Sequence, residues 1–146
     1  EGFDITGLEC RHPCVWISKS QGFQILPDLQ TEDDTMNFPD FIMGFPAIDV
    51  PFSEEVVQTR AIQSEDGLVV FFTFLQGMEL PMHSHGAQWG TVVHGQIEFT
   101  IGDHTQTYGP GDSYSIPAGV EHGAIIQAGT KVIDVFEEAD RYPLKR

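Results

Sequence analysis

Residues 77–95, GMELPMHSHGAQWGTVVHG, gather side chains that bind metal ions. On an extended chain His83 and His85 share one face, with Cα atoms roughly 6.5–7 Å apart. Both imidazoles then reach a single ion while Ser84 faces away. Gln88 follows three residues later, past a turn at Gly86, and its amide oxygen is a further candidate ligand. The alternative is structural: such histidines also occur as solvated or hydrogen-bonded residues, and Gln88 would then hydrogen-bond inside a metal-free interior.

A proton carrier is the next requirement of metal-assisted chemistry. In KVIDVFEEADRY, period-2 alternation places Val132, Asp134 and Phe136 on one face. An acidic residue among such apolar neighbours is either a catalytic carboxylate or a rim residue, and Asp134 is the candidate base. Tyr114, in YSIP, is either a proton donor or a packed strand tyrosine. His94 beside Gly95 and His104 in IGDHT are expected to be exposed turn residues, and His12 is read in the same way. Cys10 and Cys14, four apart, fit a disulfide or half of a zinc site, but no second Cys or His pair of matching spacing follows, so two free thiols are expected.

These residues need a scaffold of short strands. Eleven phenylalanines, fifteen glycines and nine prolines in 146 residues suit an all-β chain with many turns better than a helical bundle. VVQTRAI, SEDG and LVVFFTFL read as two strands around a tight turn. The second is apolar on both faces, as expected where its outer face also packs, for instance on a second copy. From Gly77 onward, turn signals at VHGQ, IGDHT, YGPGD and IPAG separate the runs GTVV, IEFTI, YSI and KVIDVF, the spacing of a barrel or two-sheet sandwich. One short helix is expected in MNFPDFIMGF, with Asn37 and Pro39 at its start, Gly44 at its end and Pro46 preventing continuation. Residues 1–36, with the apolar runs CVWI and FQIL, read as an N-terminal extension: edge or swapped strands, or sequence ahead of a start at Met36. Residues 37–146 read as the barrel domain.

A net charge of -15 repels phosphates and argues against nucleic acid or an anionic membrane as partner, leaving small molecules. No apolar run approaches the roughly 20 residues of a membrane span, and no basic region followed by an apolar stretch opens the sequence; the expected compartment is the cytoplasm.

Across about residues 68–137 the sequence resembles the two cupin motifs. Gly77, His83-x-His85, Gln88 and Gly95 match the first; Gly111 and Pro117-x-Gly119-x-x-His122 match the second. The resemblance implies a single-domain jelly-roll barrel, with His122 joining His83, His85 and Gln88 around one divalent ion. Zn, Ni and Fe(II) are the candidates, in that order, because imidazole-rich sites suit all three. The family's usual ligand at position 88 is Glu. A neutral Gln leaves the ion's charge uncompensated, lowers affinity, raises Lewis acidity and favours an anionic substrate. Gln88 with Asp134, Phe136 and Arg141 further resembles the small pectin-degradation cupins that open unsaturated monouronates to linear keto sugar acids, although Arg141 lies one residue beyond the position expected. That resemblance implies Asp134 as proton carrier, Arg141 as carboxylate holder and Phe136 as pocket wall, with Tyr114 as a further substrate contact. An Fe(II)-dependent dioxygenase and a non-catalytic binding or sensor module are the alternatives, and a homodimer is expected.

Overall fold

The computed structural model describes residues 37–146; the extension, with Cys10, His12, Cys14 and both of its apolar runs, lies outside the described residues. Among the described residues nine strands follow one helical turn: α1 (Asp40–Met43), β1 (Val57–Gln63), β2 (Leu68–Phe74), β3 (Met78–His83), β4 (Gln88–His94), β5 (Ile97–Ile101), β6 (His104–Tyr108), β7 (Ser113–Ile116), β8 (His122–Ile126) and β9 (Lys131–Phe136). They form two antiparallel sheets, β1-β2-β9-β4-β7 and β3-β8-β5-β6. This is the all-β jelly roll expected from the sequence.

Alternation does the sorting. In β2 every second residue, Leu68, Val70, Phe72 and Phe74, is buried, and the same holds for Gln88, Gly90 and Val92 in β4. Together with Ile97, Phe99 and Ile116 from the other strands, these side chains fill the interior. The outer face of β2 is apolar as well, because Phe38 packs edge-on against Phe71 with ring centroids 5.4 Å apart. Asn37 does not cap the helical turn. Pro39 occupies the N-cap, no side chain caps it, and Gly44 closes it after four residues.

Two features prepare the site. The register of β3 on β8 shifts between Leu80 and His83, around Pro81, which has no N–H to offer the ladder. Beyond the shift His83 lies directly opposite His122. The C-terminal tail returns along the segment before β1: Ile48 bridges Leu144, and the Asp49 N–H donates to the Pro143 carbonyl at 2.8 Å. Tyr142 is thereby brought against Phe136, ring centroids 5.7 Å apart.

Candidate metal centre

His83 ends β3, His85 lies two residues on in the connection to β4, and His122 opens β8. Ser84 is exposed between the first two, as same-face spacing requires. The ring centroids of the three histidines lie 4.4–5.3 Å apart, and their ligand nitrogens lie within 4.8 Å of one another.

Their tautomers follow from the backbone. Nδ1 of His83 bonds to the Pro81 carbonyl, Nδ1 of His85 to the Gly86 carbonyl and Nδ1 of His122 to the Val120 carbonyl, each at 2.8 Å. A carbonyl only accepts, so each Nδ1 carries the proton and a neutral ring keeps its lone pair on Nε2. Burial lowers the pKa of His85 and of His122, with the Arg141 charge acting in the same direction, which favours the neutral rings a cation needs. Nε2 of His85 and Nε2 of His122 then face each other at 3.0 Å with no proton between them. Two lone pairs at that distance repel. Two nitrogens each about 2.1 Å from a shared cation, roughly at right angles, are separated by about this distance. The donor set fits a divalent ion.

The histidines share a pocket with Gln88, Asp134 and Phe136, which encloses about 600 Å³ of empty space counting its open mouth. Apart from these polar groups its wall is mostly apolar, including Phe74, Leu80 and Tyr142. Gln88 is buried as the first residue of β4. Phe136 packs edge-on against His85 with centroids 5.7 Å apart.

Asp134 is 6% exposed. Burial raises its carboxyl to about 6, against hydrogen bonding from Tyr114 and Gln88 that favours the anion. Tyr114 lies behind Asp134, outside the pocket lining, between Phe99 and Tyr108, and its hydroxyl donates to Asp134 Oδ1 at 2.6 Å. Gly90 makes room for this pair. It stands opposite Asp134 on β9 and opposite Tyr114 on β7, and a Cβ there would overlap Asp134 Oδ1 and sit 2.5 Å from the Tyr114 ring. Arg141 follows β9, outside the pocket lining, with its guanidinium 4.7 Å from the centre of the Tyr142 ring and its Nε buried without a hydrogen-bond partner among the described residues.

Several contributors escape residue-by-residue reading of the sequence. Glu138 accepts from the Gly86 N–H at 2.9 Å and so braces the turn that carries His85. Tyr142 lines the pocket. Gly90 carries a usable signal, since a lone glycine inside a strand marks close approach of other groups; Glu138 and Tyr142 carry none. His104 is exposed, as expected. His94 is half-buried instead, because its Nδ1 bonds to the Gly129 carbonyl at 3.0 Å across the neighbouring turn.

A cupin domain model matches residues 70–136. The fold is shared with an RmlC-like cupin from Shewanella frigidimarina, 24% identical, with 66% of this chain and 86% of that one covered and a TM-score of 0.58. KdgF from Halomonas sp. is 25% identical over 68% of this chain and 86% of its own, with a TM-score of 0.54. An oxalate decarboxylase from Bacillus subtilis is 20% identical over 68% of this chain and 29% of its own, with a TM-score of 0.57. No curated protein matches the chain. Among the described residues no helix is long and apolar enough to cross a membrane. The motif residues, the two-sheet barrel and the matched domain agree: the chain folds as a jelly roll similar to those of cupins, around a histidine cluster able to hold a metal ion.

Proposed function

We propose that the protein is a metal-dependent enzyme acting on a small, oxygen-rich anion such as an unsaturated uronate, which it opens or tautomerises. The observation that carries this reading is the 3.0 Å approach of two unprotonated Nε2 atoms in a pocket that also holds a buried carboxylate. The resemblance of Gln88, Asp134 and Phe136 to the uronate-opening cupins supports it, as does the likeness to KdgF.

His83, His85, His122 and Gln88 would hold one divalent ion, whose Lewis acidity polarises a substrate oxygen. Four neutral ligands leave that ion's charge for the substrate to balance. Arg141 does not line the pocket, but its charge acts on His85 and His122, and it would hold the substrate carboxylate by reaching toward them. Phe136 and Tyr142 exclude water from one side. Asp134 takes or returns the proton during hydration or tautomerisation, a role suited to a buried carboxyl at about 6.

The test is elemental analysis of the purified protein, then incubation with an unsaturated monouronate while its double-bond absorbance is followed. Loss of absorbance that disappears with chelation supports the reading. Unchanged absorbance with the metal fully loaded overturns it, and oxygen uptake with another substrate points instead to Fe(II) dioxygenase chemistry. The quaternary reading is a homodimer. Ile62, Val69, Val135 and Trp89 form one cross-strand row over β1, β2, β9 and β4, and Ile62, Val135 and Trp89 are exposed. Light scattering giving a monomer mass would refute it.

A further inference from the structure

Gln88 and Asp134 lie on neighbouring strands that face the same pocket. In the β4–β9 pair Gln88 is opposite Phe136 and Gly90 is opposite Asp134, so Gln88 and Asp134 are diagonal neighbours on the inward face. Gly90 leaves the space between them open, and the Asp134 carboxylate fills it. Oδ1 of that carboxylate is held from behind by the Tyr114 hydroxyl at 2.6 Å. Asp134 also lines the pocket beside its diagonal neighbour Gln88, and a carboxylate oxygen can take only the NH2 end of that amide.

A primary amide has a donor end and an acceptor end. With its NH2 given to Asp134, the oxygen of Gln88 is left for the histidine cluster; reversed, the same side chain would present to a cation two hydrogens and no lone pair. We infer that Asp134, itself fixed by Tyr114, is the positioning residue that sets the Gln88 amide with its oxygen toward the metal, so that Gln88 and Asp134 work as a matched donor–acceptor pair. A glutamate at position 88 would set acceptor against acceptor. The inference rests on the metal-centre reading and adds to Asp134 a role that does not depend on any substrate.

Calorimetric titration of Zn²⁺ and Ni²⁺ into metal-free protein tests the pairing without measuring activity. In Asp134→Asn the new side chain keeps its oxygen for Tyr114 and turns its NH2 to Gln88, which reverses the Gln88 amide. Affinity is expected to fall roughly 10- to 100-fold, as for other residues that orient a ligand. In Gln88→Glu/Asp134→Asn the carboxylate at 88 accepts from the Asn amide and again offers oxygen, and affinity returns to the wild-type value or better. A carboxylate at 88 tightens binding by its charge alone, so the rescue is read against Gln88→Glu: where the pairing holds, the double variant binds more tightly than Gln88→Glu, although it has lost the nearby Asp134 anion, and a merely structural role of Asp134 would not produce that gain.

Wild-type affinity in Asp134→Asn, or a double variant no tighter than Gln88→Glu, overturns the pairing while leaving the metal centre standing. Failure of the wild type to bind either ion overturns both. Thermal unfolding of the metal-free variants checks folding. Should Asp134→Asn not fold, the double variant against Gln88→Glu carries the same comparison: tighter binding by the double supports the pairing, and equal binding overturns it.

Discussion

The two sides of the pocket are built by different means. On one side His83, His85 and His122 are each fixed through Nδ1 by a backbone carbonyl no more than two residues away. On the other, Asp134 is fixed by the side chain of Tyr114, whose strand lies two places across the sheet. The first arrangement is local. Each imidazole is oriented by its own stretch of chain, and changing one leaves its neighbours set. The second is a relay through Gly90, Tyr114, Asp134 and Gln88 in which each member depends on the next. Three imidazoles set the first way could hold a cation, and the relay would adjust what surrounds it.

The comparison breaks most visibly at His122. This side chain is 1% exposed and supplies one of the two opposed Nε2 lone pairs. His122→Ala removes a ligand outright, and metal affinity measured by calorimetry is expected to fall at least about 100-fold, more than for loss of a residue that only orients a ligand. The hydrogen bonds of His83 and His85 to Pro81 and Gly86 are expected to persist, because neither passes through His122.

Gly90→Ala strikes the relay in the same decisive way. One methyl group must displace either the Asp134 carboxylate or the Tyr114 ring, an overpacking expected to cost about 1–3 kcal/mol in urea denaturation. Two partners shift together, so the loss should exceed that of the same substitution at Gly111, where an added Cβ meets nothing within 4 Å and the backbone φ of +89° alone resists it.

These outcomes also mark how far the sequence can be read. The histidines and strands are legible because metal-ligand spacing and period-2 alternation are local properties: His83 and His85 share a face whatever the strand pairs with, and alternation in β9 places Val132, Asp134 and Phe136 together on the face that is buried. The relay is not. That Tyr114 meets Asp134 depends on both lying opposite Gly90, which is set by the registers of two strand pairs joined by long connections. The same holds for Tyr142 and Arg141, placed by a tail that bridges back to Ile48. Asn37 misleads because a good capping residue is of no use once Pro39 has taken the cap, and His94 misleads because its carbonyl partner lies 35 residues away.

Tyr114→Phe tests the relay more gently. It leaves the packing on Phe99 and Tyr108 and deletes the donor to Asp134 Oδ1, at a cost of about 1–3 kcal/mol where a buried acceptor loses its partner. The effect depends on pH. Burial holds Asp134 at about 6 in the folded chain, above the ordinary carboxylate value of 3.8. The folded state therefore binds this proton more tightly. The stability it contributes is complete below about pH 4 and is lost as pH rises through 6. Tyr114 favours the anion and so limits that loss. Metal-free Tyr114→Phe should match the wild type most nearly near pH 4 and fall furthest behind above pH 6 in urea unfolding. A difference independent of pH would mean that the hydroxyl does not act on the carboxylate.

The smallest effect is expected where the two sides meet. Glu138, just beyond β9, accepts from the Gly86 N–H at 2.9 Å, while the Gly86 carbonyl accepts from Nδ1 of His85. Glu138 thus steadies His85 through the backbone of one residue, Gly86, and is not itself part of the pocket lining. The usual loss on removing a direct hydrogen-bond partner of a metal-bound histidine is roughly 10- to 100-fold in affinity. One peptide further out, Glu138→Ala should cost less than about tenfold, read by the same calorimetry, and Glu138→Gln, which retains an acceptor oxygen, should cost less still. A loss as large as that of Asp134→Asn would show that the histidine side also depends on a side-chain relay, and would erase the distinction between the two walls.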